Sequence, residues 1–134
     1  MSKSLIQTSN ISSQTVAVGS VISLGSVLRR FGCNCRLNGN AIEVEGEGYY
    51  IVDVCTTATP TSAGNVTVSI LKDGVVIPSA TATNSVSTVG NSTTLPINTT
   101  IRLGCKCDGA SSLTVVLVSG AGVINNISVR VIKV

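Results

Sequence analysis

The stretch Gly48-Tyr49-Tyr50-Ile51-Val52-Asp53-Val54-Cys55 decides the reading of this chain. It is short, β-branched and aromatic in character, and is preceded by Gly46-Glu47-Gly48, which turns the chain into it. Such a run is what a half-buried pleated strand requires. Working outward, the same pattern returns in Val66-Thr67-Val68-Ser69-Ile70-Leu71, Ser112-Leu113-Thr114-Val115-Val116-Leu117-Val118 and Ile127-Ser128-Val129-Arg130-Val131-Ile132. Shorter strands are expected at Leu5-Ile6-Gln7, Thr15-Val16-Ala17-Val18 and Thr99-Thr100-Ile101-Arg102-Leu103.

The punctuation between these runs predicts tight turns. Asn38-Gly39 separates Cys35-Arg36-Leu37 from Ala41-Ile42-Glu43-Val44-Glu45, and Lys72-Asp73-Gly74 precedes Val75-Val76-Ile77. Both sequences suit the positive φ angles of a hairpin turn. Val21 to Leu28 is the one segment where a helical turn competes, weakened by Gly25. Ser79 to Thr94 is low in complexity and is expected to form one or two polar strands with a turn at Gly90-Asn91. The expected architecture is all-β: an antiparallel β-sandwich or jelly roll of about 8–10 strands, in a single domain spanning 1–134.

Composition narrows the function. Aromatics are 2% of the chain (Phe31, Tyr49, Tyr50), so the core must be aliphatic. Charged residues are 11%, the net charge is +3, and the nine lysines and arginines are scattered. Nucleic-acid binding needs a dense basic face, often with stacking aromatics, and is therefore not expected. No run approaches the ~20 apolar residues of a membrane span, and no secretory signal is read at the start.

Histidine is absent. That removes the commonest general base, nucleophile partner and transition-metal ligand together, so neither an enzyme nor a cofactor is expected. Glu43, Glu45 and Glu47 share one side of a strand and read as a solvated face, since Ca²⁺ wants six to eight oxygens from convergent loops. Two Cys-x-Cys motifs, Cys33-Asn34-Cys35 and Cys105-Lys106-Cys107, accompany an odd fifth thiol, Cys55. Along a strand, residues i and i+2 lie roughly 6.6 Å apart, which makes a disulfide within a motif unfavourable. Cys33, Cys35, Cys105 and Cys107 are left open as reduced structural thiols, as disulfides between motifs or subunits, or as a four-thiolate zinc site.

From Gly48 to Val134 the order of features resembles the trimeric jelly rolls of the tumour necrosis factor and complement type, and more closely their small phage and bacterial relatives. The matching pieces are Gly48-Tyr49-Tyr50-Ile51-Val52, the Val68-Ser69-Ile70-Leu71-Lys72-Asp73-Gly74 hairpin, its return Ile77-Pro78-Ser79-Ala80-Thr81-Ala82, Ile101-Arg102-Leu103 and the closing Ile127 to Ile132 strand. Such domains decorate phage heads and fibres and tip spore-surface filaments; this chain has no collagen-like Gly-x-y stalk.

The resemblance implies a homotrimeric structural protein of a virion surface, a capsid-decoration or head-fibre component made in the host cytoplasm. Its partners would be its own copies and the major capsid protein or another virion protein. Residues 1–31, outside the resemblance, form the candidate attachment segment, with Arg29, Arg30 and Phe31 as its contacts. The alternatives are a carbohydrate- or host-surface-binding module and a disulfide-linked filament subunit on a bacterial cell or spore surface.

Overall fold

The computed structural model describes residues 3–104 and 110–134. Among them run eleven strands and no helix: β1 (Ser4–Asn10), β2 (Gln14–Val16), β3 (Ser26–Phe31), β4 (Cys35–Asn38), β5 (Ala41–Val44), β6 (Gly48–Pro60), β7 (Gly64–Lys72), β8 (Val75–Val86), β9 (Thr93–Leu103), β10 (Ser111–Ser119) and β11 (Gly122–Lys133). One sheet has the order β3-β1-β11-β6-β9, with β2 added beside β11; the other runs β4-β5-β10-β7-β8. All pairings are antiparallel. The two sheets make an antiparallel sandwich of jelly-roll type, as expected, with one strand more than the upper expectation.

The turns follow the local chemistry. Gly39 (φ 62) closes the β4–β5 hairpin, and Asp73 and Gly74 (φ 52 and 83) close β7–β8 with the two successive positive angles of a primed turn. Pro78 lies inside β8, where it is tolerated because β8 ends its sheet, and the β7–β8 register shifts between Ser69 and Leu71. The low-complexity segment forms most of β8 and the start of β9, with Gly90 (φ 94) between them.

The Val21–Leu28 segment is not a helical turn. The chain from Gly19 to Ile22 lies extended along β10, Gly19 N–H bonding the Leu117 carbonyl (2.7 Å) and Ile22 N–H the Val115 carbonyl (2.8 Å). Because β5 reaches only Ser111–Leu113 on that edge, this segment covers what β5 leaves open. It then crosses to the other sheet to begin β3. Ile22 and Leu24 are fully buried on the way, so tertiary burial wins over weak helical propensity.

Between the sheets lies an aliphatic core. Ile6, Ile42, Val44, Val66, Val68, Leu117 and Val131 are fully buried, and Tyr50 is the core's aromatic ring. The Tyr50 hydroxyl sits 3.0 Å from the Glu45 carbonyl and 2.8 Å from that of Gly46, which pins the β5–β6 turn. Thr8 and Thr56 also point into the core, and among the described residues their hydroxyls find no hydrogen-bond partner.

Candidate assembly face

Strand period two sends one set of side chains into the core and leaves the other on the outside. On the six-stranded sheet, the pairing register aligns the outer set into rows. One row reads Phe31–Leu5–Ile132–Ile51–Thr100 across β3, β1, β11, β6 and β9. Leu5, Ile51 and Ile132 are half-buried and Phe31 is exposed, so an apolar band crosses most of the face. Beyond it, at the edge of the face, exposed Tyr49 and Val134 extend the band; the Arg102 guanidinium stands 5.9 Å from the Tyr49 ring centre.

On the other side of the band the rows turn polar. Arg29–Gln7–Arg130–Asp53–Asn98 is the next row, followed by Ser26–Ser9–Ser128–Cys55–Pro96. Asp53 accepts from Arg130 Nε at 3.2 Å, from Arg130 Nη2, and from Asn98 Nδ2. These two rows floor a hollow of about 560 Å³ lined by Gln7, Asp53, Cys55, Pro96, Asn98 and Arg130. A second hollow, about 470 Å³, lies where β8 and β9 meet, with Val75, Val76, Ile77 and Pro78 on its wall; Val75 and Val76 are exposed.

The sequence-predicted residues are distributed as follows. Phe31 falls in the apolar band opposite Leu5, and Arg29 opposite Gln7 in the polar row. Arg30 faces the other way, donating from Nε to the Cys35 carbonyl at 2.8 Å. Of the cysteines, Cys33 is exposed in the β3–β4 turn and Cys35, the first residue of β4, is buried. Burial pushes the Cys35 thiol up to about 11, against the smaller opposing pull of Arg30 and Lys133. Cys105 and Cys107 lie outside the described residues, as does the pairing or metal site they would share with Cys33 and Cys35. Cys55 stands in the outer hollow.

Glu43 and Glu45 are both held by Arg36, at 2.7 and 3.5 Å, and the Glu43 carboxyl is held low first by Asn38 and then by Arg36. Among the described residues no three His, Cys, Asp or Glu side chains converge in a metal-binding group. The band residues Leu5, Ile51 and Ile132, and the Asp53–Arg130–Asn98 group, were not singled out by sequence reasoning. Their signal was present as apolar residues out of phase with the core, but only the non-local register brings them together.

No protein-family model matches the chain, and no curated protein matches it. Solved structures do match in fold. Murine APRIL at pH 8.5 superimposes with a TM-score of 0.76 at 9% identity, covering 99% of this chain and 100% of that one. The globular domain of zebrafish complement 1qA gives 0.70 at 7% identity over 94% of each chain. The PRD1 vertex protein P5 gives 0.63 at 11% identity, covering 98% of this chain and 96% of the other. At these identities the likeness defines the fold, a jelly roll of the tumour necrosis factor and complement type.

Proposed function

We propose that this chain is a non-enzymatic structural protein of a virion surface, a capsid-decoration or head-fibre component that works as a homotrimer. The apolar band Phe31–Leu5–Ile132–Ile51 carries this reading. An outer sheet face that only met water would present polar side chains at these positions. Completing the burial of each band residue is worth roughly 1 kcal/mol at about 25 cal/mol per Å². Association costs about 4 kcal/mol or more in lost freedom, so the band must act with neighbouring surface. Tyr49, Val75 and Val76 supply exposed apolar area at the β8–β9 side of the molecule.

The site chemistry supports a passive role. The hollow's carboxylate, Asp53, is already engaged by Arg130 and Asn98, and no histidine exists to activate a thiol. Sugar stacking would want an aromatic platform in the loops. The exposed aromatics, Phe31 and Tyr49, belong instead to the outer face of the six-stranded sheet. The similarity to a vertex protein supports placement on a particle surface.

Sedimentation equilibrium with and without reductant tests the assembly. The expected result is a trimer under both conditions, converted to folded monomer by Ile132→Glu or Ile51→Glu. A wild-type monomer at every concentration would overturn the trimer, and a ladder lost on reduction would replace it with a crosslinked filament. Immunogold labelling of purified particles tests the placement on a virion.

A further inference from the structure

We infer that β3 is an open docking edge, built to accept an extended acidic strand of a partner protein as an added strand of the six-stranded sheet. The observation is the combination, in one strand, of an unpaired backbone edge, exposed apolar side chains and uncompensated positive charge.

β3 ends its sheet, bonded to β1 on one side. Among the described residues no backbone hydrogen bond leaves its other side. Every residue from Ser26 to Phe31 is exposed, and Val27, Leu28 and Phe31 present 40%, 58% and 55% of their surface. The edge is nonetheless held in place. Gly25 (φ 78) and Gly32 (φ 79) bracket it and press against β1: a Cβ on Gly25 would lie 2.2 Å from the Ser9 carbonyl oxygen, and one on Gly32 2.3 Å from Ser4 Oγ. A preformed edge adds an extended segment with little ordering cost on its own side.

Among the strands that end the two sheets, β3 is distinguished by an open edge with a cation that is free among the described residues. β8 and β9 lie against each other where the two sheets meet. β4 carries Arg36, tied to Glu43 and Glu45. On β3 the register shift opposite Gln7 and Thr8 falls at Leu28, so the continuous docking length is Arg29–Phe31.

Charge selects the occupant. No acidic residue precedes Glu43 in the sequence, while Lys3, Arg29 and Arg30 lie on β3 and the adjoining start of β1. Arg29 makes no ion pair among the described residues. A second copy of β3 would bring arginines against arginines, which disfavours self-pairing. Because Arg29 and Phe31 share one face, a matching strand sets an acidic residue beside Arg29 and an apolar one two positions away beside Phe31. Strand addition extends the sheet in its own plane, whereas the trimer reading uses its flat face, so the two can be tested apart.

The test uses the full chain and a fluorescently labelled short peptide whose alternate positions run aspartate, valine, aspartate, with threonine between them. It is compared with a lysine–valine peptide and with an aspartate–valine peptide carrying prolines at alternate positions. Anisotropy should show saturable binding of the first peptide alone, and amide exchange should slow selectively within Arg29–Phe31. Arg29→Glu should weaken binding about tenfold, as expected for turning an opposite-charge pair into a like-charge one. Circular dichroism and the urea midpoint of that variant should stay near those of the wild type, and Arg29→Gln, with a smaller loss, serves if it does not fold. Equal binding of acidic and basic peptides, retention of binding by the proline peptide, or unchanged exchange in β3 would each overturn the proposal. Loss of the trimer without loss of peptide binding would instead count against the assembly reading.

Discussion

Arg130 of β11 and Asp53 of β6 stand opposite each other in register, joined as an ion pair in the middle of the outer sheet face. Exposed pairs of this kind contribute about 0–1 kcal/mol to folding. Under a covering neighbour the arithmetic changes, because removing one partner leaves a buried charge uncompensated, at a cost of about 3–5 kcal/mol. Asp53→Ala should therefore shift the urea midpoint of the dissociated chain by less than about 1 kcal/mol while strongly promoting dissociation on dilution. Adding Arg130→Ala should restore part of the assembly. Sedimentation velocity over a dilution series, beside urea unfolding, checks both arms.

The Thr8 and Thr56 hydroxyls are buried without partners among the described residues. A buried hydroxyl that bonds nothing loses its water without compensation, and valine has nearly the same shape. Thr8→Val and Thr56→Val should each raise stability by about 1 kcal/mol, read as a higher urea midpoint at constant slope. A drop in stability would show that these hydroxyls are satisfied in solution.

Cys35 makes stability depend on pH on the alkaline side. Its thiol titrates at about 11 in the fold against 9.0 ordinarily, and burial also raises Tyr50. Between those values the unfolded chain has lost the Cys35 proton and the folded chain has kept it, so stability falls as pH rises. The contribution is fully present below pH ~9 and lost by pH ~11. Unfolding midpoints measured across this range should decline, less steeply in Cys35→Ala, where the Tyr50 share remains. At neutral pH a maleimide should label exposed Cys33 and Cys55 quickly and leave Cys35 untouched until unfolding.

Gly25 and Gly39 both take positive φ, in different surroundings. Alanine at Gly39 meets nothing within 4 Å and should cost about 1–2 kcal/mol, the ordinary left-handed penalty. Alanine at Gly25 adds a collision with the Ser9 backbone and should cost upwards of about 3 kcal/mol. Faster amide exchange along β3 in Gly25→Ala would locate that loss at the edge strand.

The strands and hairpin turns were legible because each is written locally. β6 appears in the alternation from Gly48, and the β4–β5 and β7–β8 turns in Asn38-Gly39 and Asp73-Gly74. Val21–Leu28 was open to a helical turn on local grounds, because its extended course is set by partners outside the segment: β10 along Gly19–Ile22 and β1 along β3. The assembly face was illegible for the same reason. Leu5, Phe31, Ile51 and Ile132 each look like ordinary strand residues, and only register between distant strands makes them one band. For Cys33 and Cys35 the period-two rule does not apply, because Cys33 lies in the turn between β3 and β4 and only Cys35 is in a strand.

The pairing of Ser4 with Lys133 through Asn10 with Ile127 carries a consequence for biosynthesis. β1 leaves the ribosome first among the strands, yet its inner neighbour is β11, made last. The central ladder of the larger sheet therefore cannot zip up during translation, and the nascent chain must carry an unsatisfied β1 until synthesis has passed Lys133. Closing so wide a loop is slow, on the millisecond-to-second scale for topologies dominated by distant pairings. Chaperone demand should consequently fall once β11 has been made and not be spread along the synthesis of the earlier strands.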